Sequence, residues 1–415
     1  MTDPYPLRAI DNDDYETWAR VIANTYGEDR VESQLTNERL TLDLDRTIGA
    51  FDGDTPIGGA AILARSLTVP GAFQPVAGIS WVGVAPTHRR RGVLTAMMRR
   101  QLAGLHESGA EPIAVLNASE AAIYGRFGYG IAGRGAMMRG VKRAMGFRPG
   151  VDFRSGTVRL LDRDAARPLL EKAYDEARVS LVGWLERPDR YWETWLYDEP
   201  HMRGGATSLR FAVHADSTGA TTGYAIYRLK SGSNEVGNQG TVHVVELVAT
   251  TRSAYAALWH FLIGIDLFPY VCYEGAPDEP LLHLLNDPSS VRVSMVDRLW
   301  VRLVDVDRAL TARRYSTPLD VVFDVEDTFC PWNVGRYRLR AEGADVSCER
   351  VRADADLRLS STELGAAILG GTTLAALAAA GRVEELRPGA LAACSTAFRG
   401  TREPFNPTGP GFPCY

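Results

Sequence analysis

Three arginines and a glycine, Arg89, Arg90, Arg91 and Gly92, stand directly before a segment with helical spacing in the sequence VAPTHRRRGVLTAMM. Glycine permits close backbone approach, and the first N–H groups of a helix have no intrahelical partner. The helix dipole adds positive charge at the same end, so such a turn binds phosphate oxygens. Guanidinium groups add charge-assisted hydrogen bonds, which predicts a pyrophosphate ligand. The alternative is a solvated basic turn without a ligand.

Other ligand motifs are weak. Residues 128–133, GYGIAG, match the pattern GxGxxG, but neither a preceding strand nor a long following helix is predicted, so a dinucleotide site is not indicated. The sequence contains no GxxxxGK[ST] or GxSxG segment. None of the seven histidines pairs at i, i+4 or adjoins a carboxylate cluster, and no metal site is predicted.

The elements around the arginine turn are predicted to mix strands and helices around one sheet. TIGAFDG and PIGGAAILAR form a predicted hairpin at 52–54, and a further strand is expected at 77–85. The apolar spacing after Gly92 predicts an amphipathic helix that ends near Ser108. PIAVLN predicts a buried strand, and 121–127 predicts a short helix stopped at Gly128.

A second unit is expected from about Thr157, after a basic linker at 141–155 that is rich in glycine and proline. Trp192 and Trp195 stand at helical spacing, which favours a core or subunit-contact stripe over a ligand cage. VHVVELVA followed by TTRSAYAALWHFL resembles VGVAPTHRRRGVLTAMMRRQL without the glycine and two of the arginines. This faint internal repeat predicts a second copy that has lost its anion-binding turn.

A third unit is predicted from about Leu303. It contains two predicted strands, VVFDVED and DADLRLS, and one alanine-rich helix, TELGAAILGGTTLAALAAAGRVEEL. The tail, REPFNPTGPGFPCY, is rich in proline and glycine.

The composition limits the class of function. A formal net charge of −5 argues against a general nucleic-acid or anionic-membrane binder, because both need a broad basic surface. The five cysteines include no CxxC pair, which fits reduced thiols in the cytoplasm rather than a disulfide framework. No signal peptide or membrane-spanning segment is predicted, although export by another route stays open.

The segment RRRGVL at 89–94 resembles the [RQ]xxGx[GA] loop of the GCN5-related N-acetyltransferases (GNAT), which holds the pyrophosphate of acetyl-coenzyme A. Leu94 departs from the final Gly/Ala. This departure is typical of the Eis (enhanced intracellular survival) branch of the family. The chain also resembles that branch in the segments VAPTHRRRG and ASEAAIYGRFGYG and in its three-part layout. The resemblance implies an α+β chain with a catalytic GNAT fold at 1–145, a degenerate GNAT-like copy at 146–302, and a sterol-carrier-protein-like α/β domain at 303–415.

The resemblance also implies site residues. Its general acid falls on Tyr124, and its general base is the C-terminal carboxylate, here that of Tyr415. From the residues alone, a tyrosine in AAIYGRFGY more often packs in a core, and a chain end is more often frayed. The implied contacts to acetyl-coenzyme A are Val82, Gly83, Val84, Arg90, Arg91, Gly92, Val93, Leu94, Thr95, Ser119 and Glu120.

These residue types suit acyl transfer to an amine. An alkylamine, with a pKa near 10, must lose a proton to a base before it attacks. The departing thiolate needs a proton, which a tyrosine hydroxyl retains until then. A backbone N–H near Val84 is expected to hold the oxyanion if the strand splays from its neighbour.

The implied acceptors are primary amines, including aminoglycosides at several positions, and the implied assembly is a homohexamer. Glu28, Asp29 and Trp81 are candidates for the amine site. Two alternatives are a protein-lysine acetyltransferase and a non-catalytic carrier of a lipid-like ligand. The intact RRRG turn and Tyr124 favour an enzyme, because a vestigial domain should resemble the second copy at 248–260.

Overall fold

The computed structural model describes residues 5–235 and 237–407. The chain forms two compact units. The first contains the described residues up to 133, residues 182–195, and the described residues from 297 onward; the second contains 134–181 and 196–296. The predicted domain boundaries after residues 145 and 302 stay predictions.

The described residues form strands of very different lengths. In chain order they are β1 Leu7–Arg8, β2 Thr47–Asp52, β3 Thr55–Val69, β4 Ala72–Val84, β5 Ile113–Leu116, β6 Gly130–Val141, β7 Thr157–Leu161, β8 Arg210–Ala215, β9 Thr221–Lys230, β10 Ser233–Asn234, β11 Gly237–Asn238, β12 Thr241–Ala249, β13 Tyr270–Gly275, β14 Val291–Leu303, β15 Leu319–Glu326, β16 Gly335–Glu342, β17 Asp345–Arg350, β18 Leu357–Ser360 and β19 Val383–Glu385.

The α-helices are mostly short. In chain order they are α1 Asn12–Thr25, α2 Glu32–Arg39, α3 Val93–Ser108, α4 Ala121–Tyr124, α5 Arg163–Arg178, α6 Asp189–Trp195, α7 Arg252–Gly264, α8 Leu281–Leu284, α9 Val306–Thr311, α10 Ser361–Ala367, α11 Leu374–Ala379 and α12 Ala390–Phe398.

The first unit is built on strands in the order β1-β2-β3-β4-β5-β14. The predicted hairpin (β2–β3), the strand after it (β4) and the short buried strand (β5) are confirmed. β4 and β5 run parallel, but they pair only at Ala77 with Ala114 and at Gly78 with Val115. Beyond Gly78 the two strands diverge, which leaves an opening in the sheet.

A β-bulge lies on β4 at this opening. Gly59 pairs with Gly83, but Ala61 pairs with Ser80, so Trp81 and Val82 on β4 face a single residue of β3. Trp81 has a φ of 55°, which a bulky side chain rarely adopts. A bulge of this kind redirects a strand locally, and here it turns β4 away from β5.

Helix α3 confirms the predicted amphipathic helix, and Gly109 ends it in the left-handed conformation. Met97, Met98, Leu102 and Leu105 on its apolar face are each at most 2% exposed. Each such side chain contributes about 1.5–3 kcal/mol through burial. The helix is thereby fixed against the sheet, and its first turn is held at the carboxyl end of β4.

The second unit repeats this arrangement. Its strands follow the order β6-β13-β12-β9-β8-β7, with β12 parallel to β13. The predicted strand (β12) and the helix after it (α7) are confirmed, and Thr251 caps α7 through the N–H of Ala254. The pairing of β12 with β13 ends at Val244 with Tyr273, so this copy also has diverging strands.

Two strands run from one unit into the other. β6 begins in the first unit, but its residues 136–141 pair with β13 in the second. β14 begins in the second unit, but its residues 300–303 pair with β5 in the first. Each of these two pairings therefore lies within a single unit.

The C-terminal region forms a mixed sheet in the order β17-β16-β15-β18-β19. The two predicted strands are found as β15 and β18, but the predicted single alanine-rich helix is wrong. Gly370, with a φ of 90°, and Thr373, which caps α11, divide that segment into α10 and α11, and its end forms β19. Glycine is a poor helix former, and a threonine cap favours a new start.

One hydrophobic core joins this region to the sheet formed by β1–β5 and β14. Leu67 on β3 and Val115 on β5 pack in the same buried cluster as Phe323 and Leu364 of the C-terminal region.

Within residues 5–235 and 237–407, no helix is long and apolar enough to cross a membrane. The four cysteines among these residues are free thiols. The same described residues include no group of three His, Cys, Asp or Glu side chains that could hold a metal ion.

Candidate active site

A cavity of about 220 Å³ lies where β4 and β5 diverge. Its walls come from α1, the bulged part of β4, the segment after β5, α4 and β14. The residues that line it are Ile22, Ala23, Tyr26, Arg30, Ile79, Ser80, Trp81, Val82, Asn117, Ala118, Ser119, Tyr124 and Arg298.

Tyr124 is the last residue of α4 and is only 5% exposed. Its ring packs edge-to-face against Tyr129, with 5.9 Å between ring centroids. Burial raises the pKa of Tyr124 above its ordinary value near 10. Within the described residues, its hydroxyl has no hydrogen-bond partner. Tyr124 therefore presents a protonated hydroxyl on the cavity wall.

A second tyrosine, Tyr26, links α1 to the bulge. Its hydroxyl donates to the carbonyl oxygen of Val82 over 2.5 Å and also bonds with Ser119. Burial raises the pKa of Tyr26 as well. This bridge between β4 and the segment after β5 holds the opening at a fixed width.

The predicted anion-binding turn lies between β4 and α3. Gly92 precedes α3 with a φ of 86°, and Arg90 also has a positive φ of 62°. No side chain caps the first turn of α3, so its N–H groups remain available to a ligand. The turn therefore has the backbone conformation that suits an anion.

The three arginines of the turn have different surroundings. Arg89 donates to the carbonyl oxygens of Val84 and Thr25 over 3.3 Å each, and Arg91 donates to the hydroxyl of Tyr5 over 3.0 Å. Arg90 is exposed and makes no hydrogen bond or ion pair with other described residues. Arg90 is thus the guanidinium that is free to reach a phosphate.

The remaining predicted cofactor residues lie between the turn and Tyr124. Val82, Gly83 and Val84 form the bulged end of β4, and Val93, Leu94 and Thr95 form the first turn of α3. Ser119 and Glu120 lie across the opening, directly before α4. The fold brings these segments, which are separated in sequence, to one edge of the sheet.

The candidate amine-site residues are only partly brought together. Trp81 lines the cavity, and its indole stacks on that of Trp18 with 5.3 Å between centroids. Neither Glu28 nor Asp29 is among the described residues that line the cavity. Glu28 forms an ion pair with Arg30, which also pairs with Glu38 at 3.1 Å.

Three family models match the chain. An acetyltransferase (GNAT) domain matches residues 6–132, a second acetyltransferase (GNAT) domain matches residues 183–303, and a sterol carrier protein domain matches residues 306–407. An uncharacterised N-acetyltransferase from Streptomyces avermitilis is 43% identical, with 97% of this chain and 99% of that protein covered.

The N-acetyltransferase Eis of Mycobacterium tuberculosis is 35% identical, over 81% of each chain. The chain belongs to the Eis family of N-acetyltransferases. The crystal structure of Eis1 from Mycobacterium abscessus agrees with this, with a TM-score of 0.82, 33% identity, and coverage of 97% of this chain and 99% of that one. A GCN5-related N-acetyltransferase from Anabaena variabilis has the same fold, with a TM-score of 0.84 at 19% identity over 97% of this chain and 99% of that one.

The Eis assignment confirms the predicted fold class. Two GNAT folds are followed by a sterol-carrier-like domain, and the chain is an acetyltransferase. The roles given to individual residues stay predictions. Tyr415 lies outside the described residues. The described part of the tail is packed as far as Asn406, and the N–H of Phe405 donates to the carbonyl oxygen of Val182 over 3.1 Å.

Sequence reasoning missed five polar residues of this Eis cavity, namely Tyr26, Arg30, Ser80, Asn117 and Arg298. Tyr26 and Arg30 flank Glu28 and Asp29, which the sequence analysis named as candidates. The sequence therefore indicated the right loop, but not the two residues of it that line the cavity. Arg298 belongs to β14, far along the chain. Only the pairing of β14 with β5 brings Arg298 to the cavity, and no local pattern in the sequence indicates that pairing.

Proposed function

We propose that this Eis-family enzyme transfers the acetyl group of acetyl-coenzyme A to primary amines by direct attack in a ternary complex. Tyr124 acts as the general acid and the carboxylate of Tyr415 as the general base. The observation that carries the proposal is the position of Tyr124 on the cavity wall, with its hydroxyl uncommitted to any described residue.

Acetyl-coenzyme A binds with its pyrophosphate at the start of α3. The uncapped N–H groups of Val93, Leu94 and Thr95 and the guanidinium of Arg90 supply the donors. The acyl end enters the opening between β4 and β5, where β4 has no strand partner on the β5 side beyond Gly78. A backbone N–H of the bulged segment then stabilises the oxyanion.

In the reaction the neutral amine nitrogen attacks the thioester carbonyl carbon, and a tetrahedral oxyanion forms. The amine proton passes to the Tyr415 carboxylate. When the carbon–sulfur bond breaks, the leaving thiolate takes a proton from the hydroxyl of Tyr124. The raised pKa of Tyr124 supports this role, because the phenol remains protonated at the pH at which the amine is neutralised.

The acceptors in this proposal are aminoglycoside-type polyamines, acetylated at several positions, as the resemblance implies. Glu28 forms an ion pair with Arg30, which lines the cavity, and Asp29 stands between them in the sequence. The Tyr415 carboxylate adds negative charge for a cationic amine. Homohexamer assembly belongs to the same proposal. If lysine side chains of proteins were the better acceptors, the chemistry would be the same and the partner different.

The test follows free thiol released from acetyl-coenzyme A with a panel of aminoglycosides and other primary amines. Tyr124→Phe and a chain lacking Tyr415 are each expected to lower kcat by about 10²- to 10⁴-fold, the usual range for a general acid or base. Tyr315→Phe is the matched control, because it removes a tyrosine hydroxyl that bonds the carbonyl oxygen of Leu310 in the C-terminal domain. Full activity of both test variants would remove the assigned acid and base.

A further inference from the structure

A buried group of polar side chains lies against Gly128, in the turn that follows Tyr124 along the chain. We call Arg302, Asp327 and Ser361 the Arg302 cluster. Arg302, on β14, is fully buried, and its Nη2 lies 2.6 Å from Oδ2 of Asp327. Its Nη1 donates to the hydroxyl of Ser361. The cluster joins a strand of the first acetyltransferase sheet to two segments of the sterol-carrier-like domain.

Asp327 is itself held firmly. The N–H groups of Phe329 and Cys330 donate to its Oδ1 over 3.2 and 2.9 Å, and the side-chain amide of Asn333 donates to Oδ2 over 3.1 Å. Taking an ion pair out of water costs several kcal/mol per ion, and hydrophobic residues of similar volume often stabilise a fold equally well. Stability alone is therefore a weak reason for this pair, whereas a fixed position for the guanidinium is a stronger one.

Arg302 contacts the backbone that follows Tyr124. Gly128 has a φ of 82°, and a Cβ added there would lie only 2.4 Å from Nη1 of Arg302. The guanidinium therefore packs directly on the chain at Gly128, and no larger residue fits between them. This contact fixes the turn that leads from α4 into β6.

Tyr129 connects Arg302 to Tyr124. It directly follows Gly128, on which Arg302 packs, and its side chain is fully buried. Its ring meets the ring of Tyr124 at an interplanar angle of 72°, in an edge-to-face contact. The hydroxyl of Tyr129 has no hydrogen-bond partner among the described residues, so its ring rather than its hydroxyl makes the link.

We propose that Arg302 is a positioning residue for Tyr124: through Gly128 and the ring of Tyr129 it sets the orientation of the tyrosine that protonates the leaving thiolate. The sterol-carrier-like domain then contributes to acetyl transfer by holding Arg302 through Asp327 and Ser361. This inference rests on the proposed role of Tyr124. It gives the third domain a second task in the reaction, besides the proposed base at Tyr415, and this task needs no lipid ligand.

The test is a double-mutant cycle on the full chain, with kcat and the KM for acetyl-coenzyme A measured for each member. Arg302→Met is expected to lower kcat about 10- to 100-fold, because a shift of about 1 Å in a reacting group can cost 10²-fold. The KM for acetyl-coenzyme A should stay within about twofold. In a Tyr124→Phe background the same substitution should have no further effect on kcat, because the group that it positions is gone.

The matched control is Arg313→Met. Arg313 is also buried in the C-terminal domain, where it donates to the carbonyl oxygens of Ile368 and Phe398. Among the described residues it makes no hydrogen bond with the Arg302 cluster or with Tyr129. Any loss of kcat that it causes should be the same in both backgrounds. A second pair of variants leaves the ion pair of Arg302 with Asp327 intact. Tyr129→Leu should lower kcat as Arg302→Met does, whereas Tyr129→Phe, which keeps the ring, should have a kcat close to that of the wild type.

The outcomes separate the two proposals. If Tyr124→Phe retained full activity, the proposed acid would be wrong. Suppose instead that Tyr124→Phe were impaired but Arg302→Met and Tyr129→Leu left kcat unchanged; the positioning role would then be overturned. It would also be overturned if these substitutions lowered kcat equally in the wild-type and Tyr124→Phe backgrounds. If Arg302→Met failed to fold, the two Tyr129 variants would decide.

Discussion

At the scale of single residues, the site depends on which polar side chains already have hydrogen-bond partners within the protein. In the described arginine turn, Arg89 and Arg91 have protein partners, and Arg90 has none. On the cavity wall, Tyr26 is held by Val82, whereas the hydroxyl of Tyr124 bonds no described residue. The uncommitted groups are those that a bound substrate would use.

Replacing Arg90 by alanine should therefore raise the KM for acetyl-coenzyme A by about 10- to 100-fold and leave kcat within a few fold. A hydrogen bond to a charged group contributes about 1.5–3 kcal/mol, which corresponds to that range. Initial rates at varied acetyl-coenzyme A measure both constants.

Arg100→Ala is the matched control, because Arg100 is an exposed arginine on the same helix, beyond its first turn. It should leave the KM unchanged. An equal effect of the two substitutions would indicate a general charge effect and would argue against a phosphate contact at Arg90.

At the scale of elements, two copies of one strand–helix–strand unit differ in the side chains that lie near their parallel strands. In the first copy these side chains line a cavity. In the second, Tyr255 on α7 donates to Glu279, and Tyr224 donates to the buried Glu246 over 2.6 Å. Tyr224 on β9 and Glu246 on β12 are both buried, so polar side chains beside β12 bond one another in the core of the second copy.

Tyr255→Phe should lower the free energy of unfolding by about 1–3 kcal/mol, because the buried Glu279 carboxylate loses a hydrogen-bond donor. Urea denaturation followed by fluorescence measures this change. The KM for acetyl-coenzyme A should be unchanged, and calorimetry should give one acetyl-coenzyme A per chain. Binding of two per chain would contradict the prediction that the second copy has lost its anion-binding turn.

The sequence predicted those elements whose signal is local. The α3 helix, with its apolar stripe and closing glycine, was predicted with the correct bounds, and the hairpin was found from its turn residues. The single alanine-rich helix was wrong because Gly370 and the Thr373 cap outweigh the helix propensity of alanine. The β4 bulge and the pairing of β14 with β5 depend on distant contacts, and local patterns carry no information about them.

At the scale of the whole chain, the first predicted domain up to residue 133 and the third predicted domain belong to one compact unit with a shared core. A chain that ends after residue 302 would leave apolar residues of this core without partners, among them Leu67 and Val115. We expect it to be insoluble and inactive. Solubility after expression and release of thiol are the measurements.

The control is a chain that ends after Pro407, which keeps every described residue of the core. It should fold, with a melting temperature close to that of the full chain, and should still bind acetyl-coenzyme A. Its kcat should fall, because the proposed C-terminal carboxylate is displaced. A soluble, active chain of residues 1–302 would show that the shared core is dispensable.

The pairing of β5 with residues 300–303 also has a consequence for biosynthesis. The ribosome completes β5 long before it makes its antiparallel neighbour. At about 5–20 residues per second, on the order of ten to forty seconds pass before that neighbour emerges. During this interval the edge of β5 is unprotected in the nascent polypeptide, and this is where we expect a chaperone to be needed most.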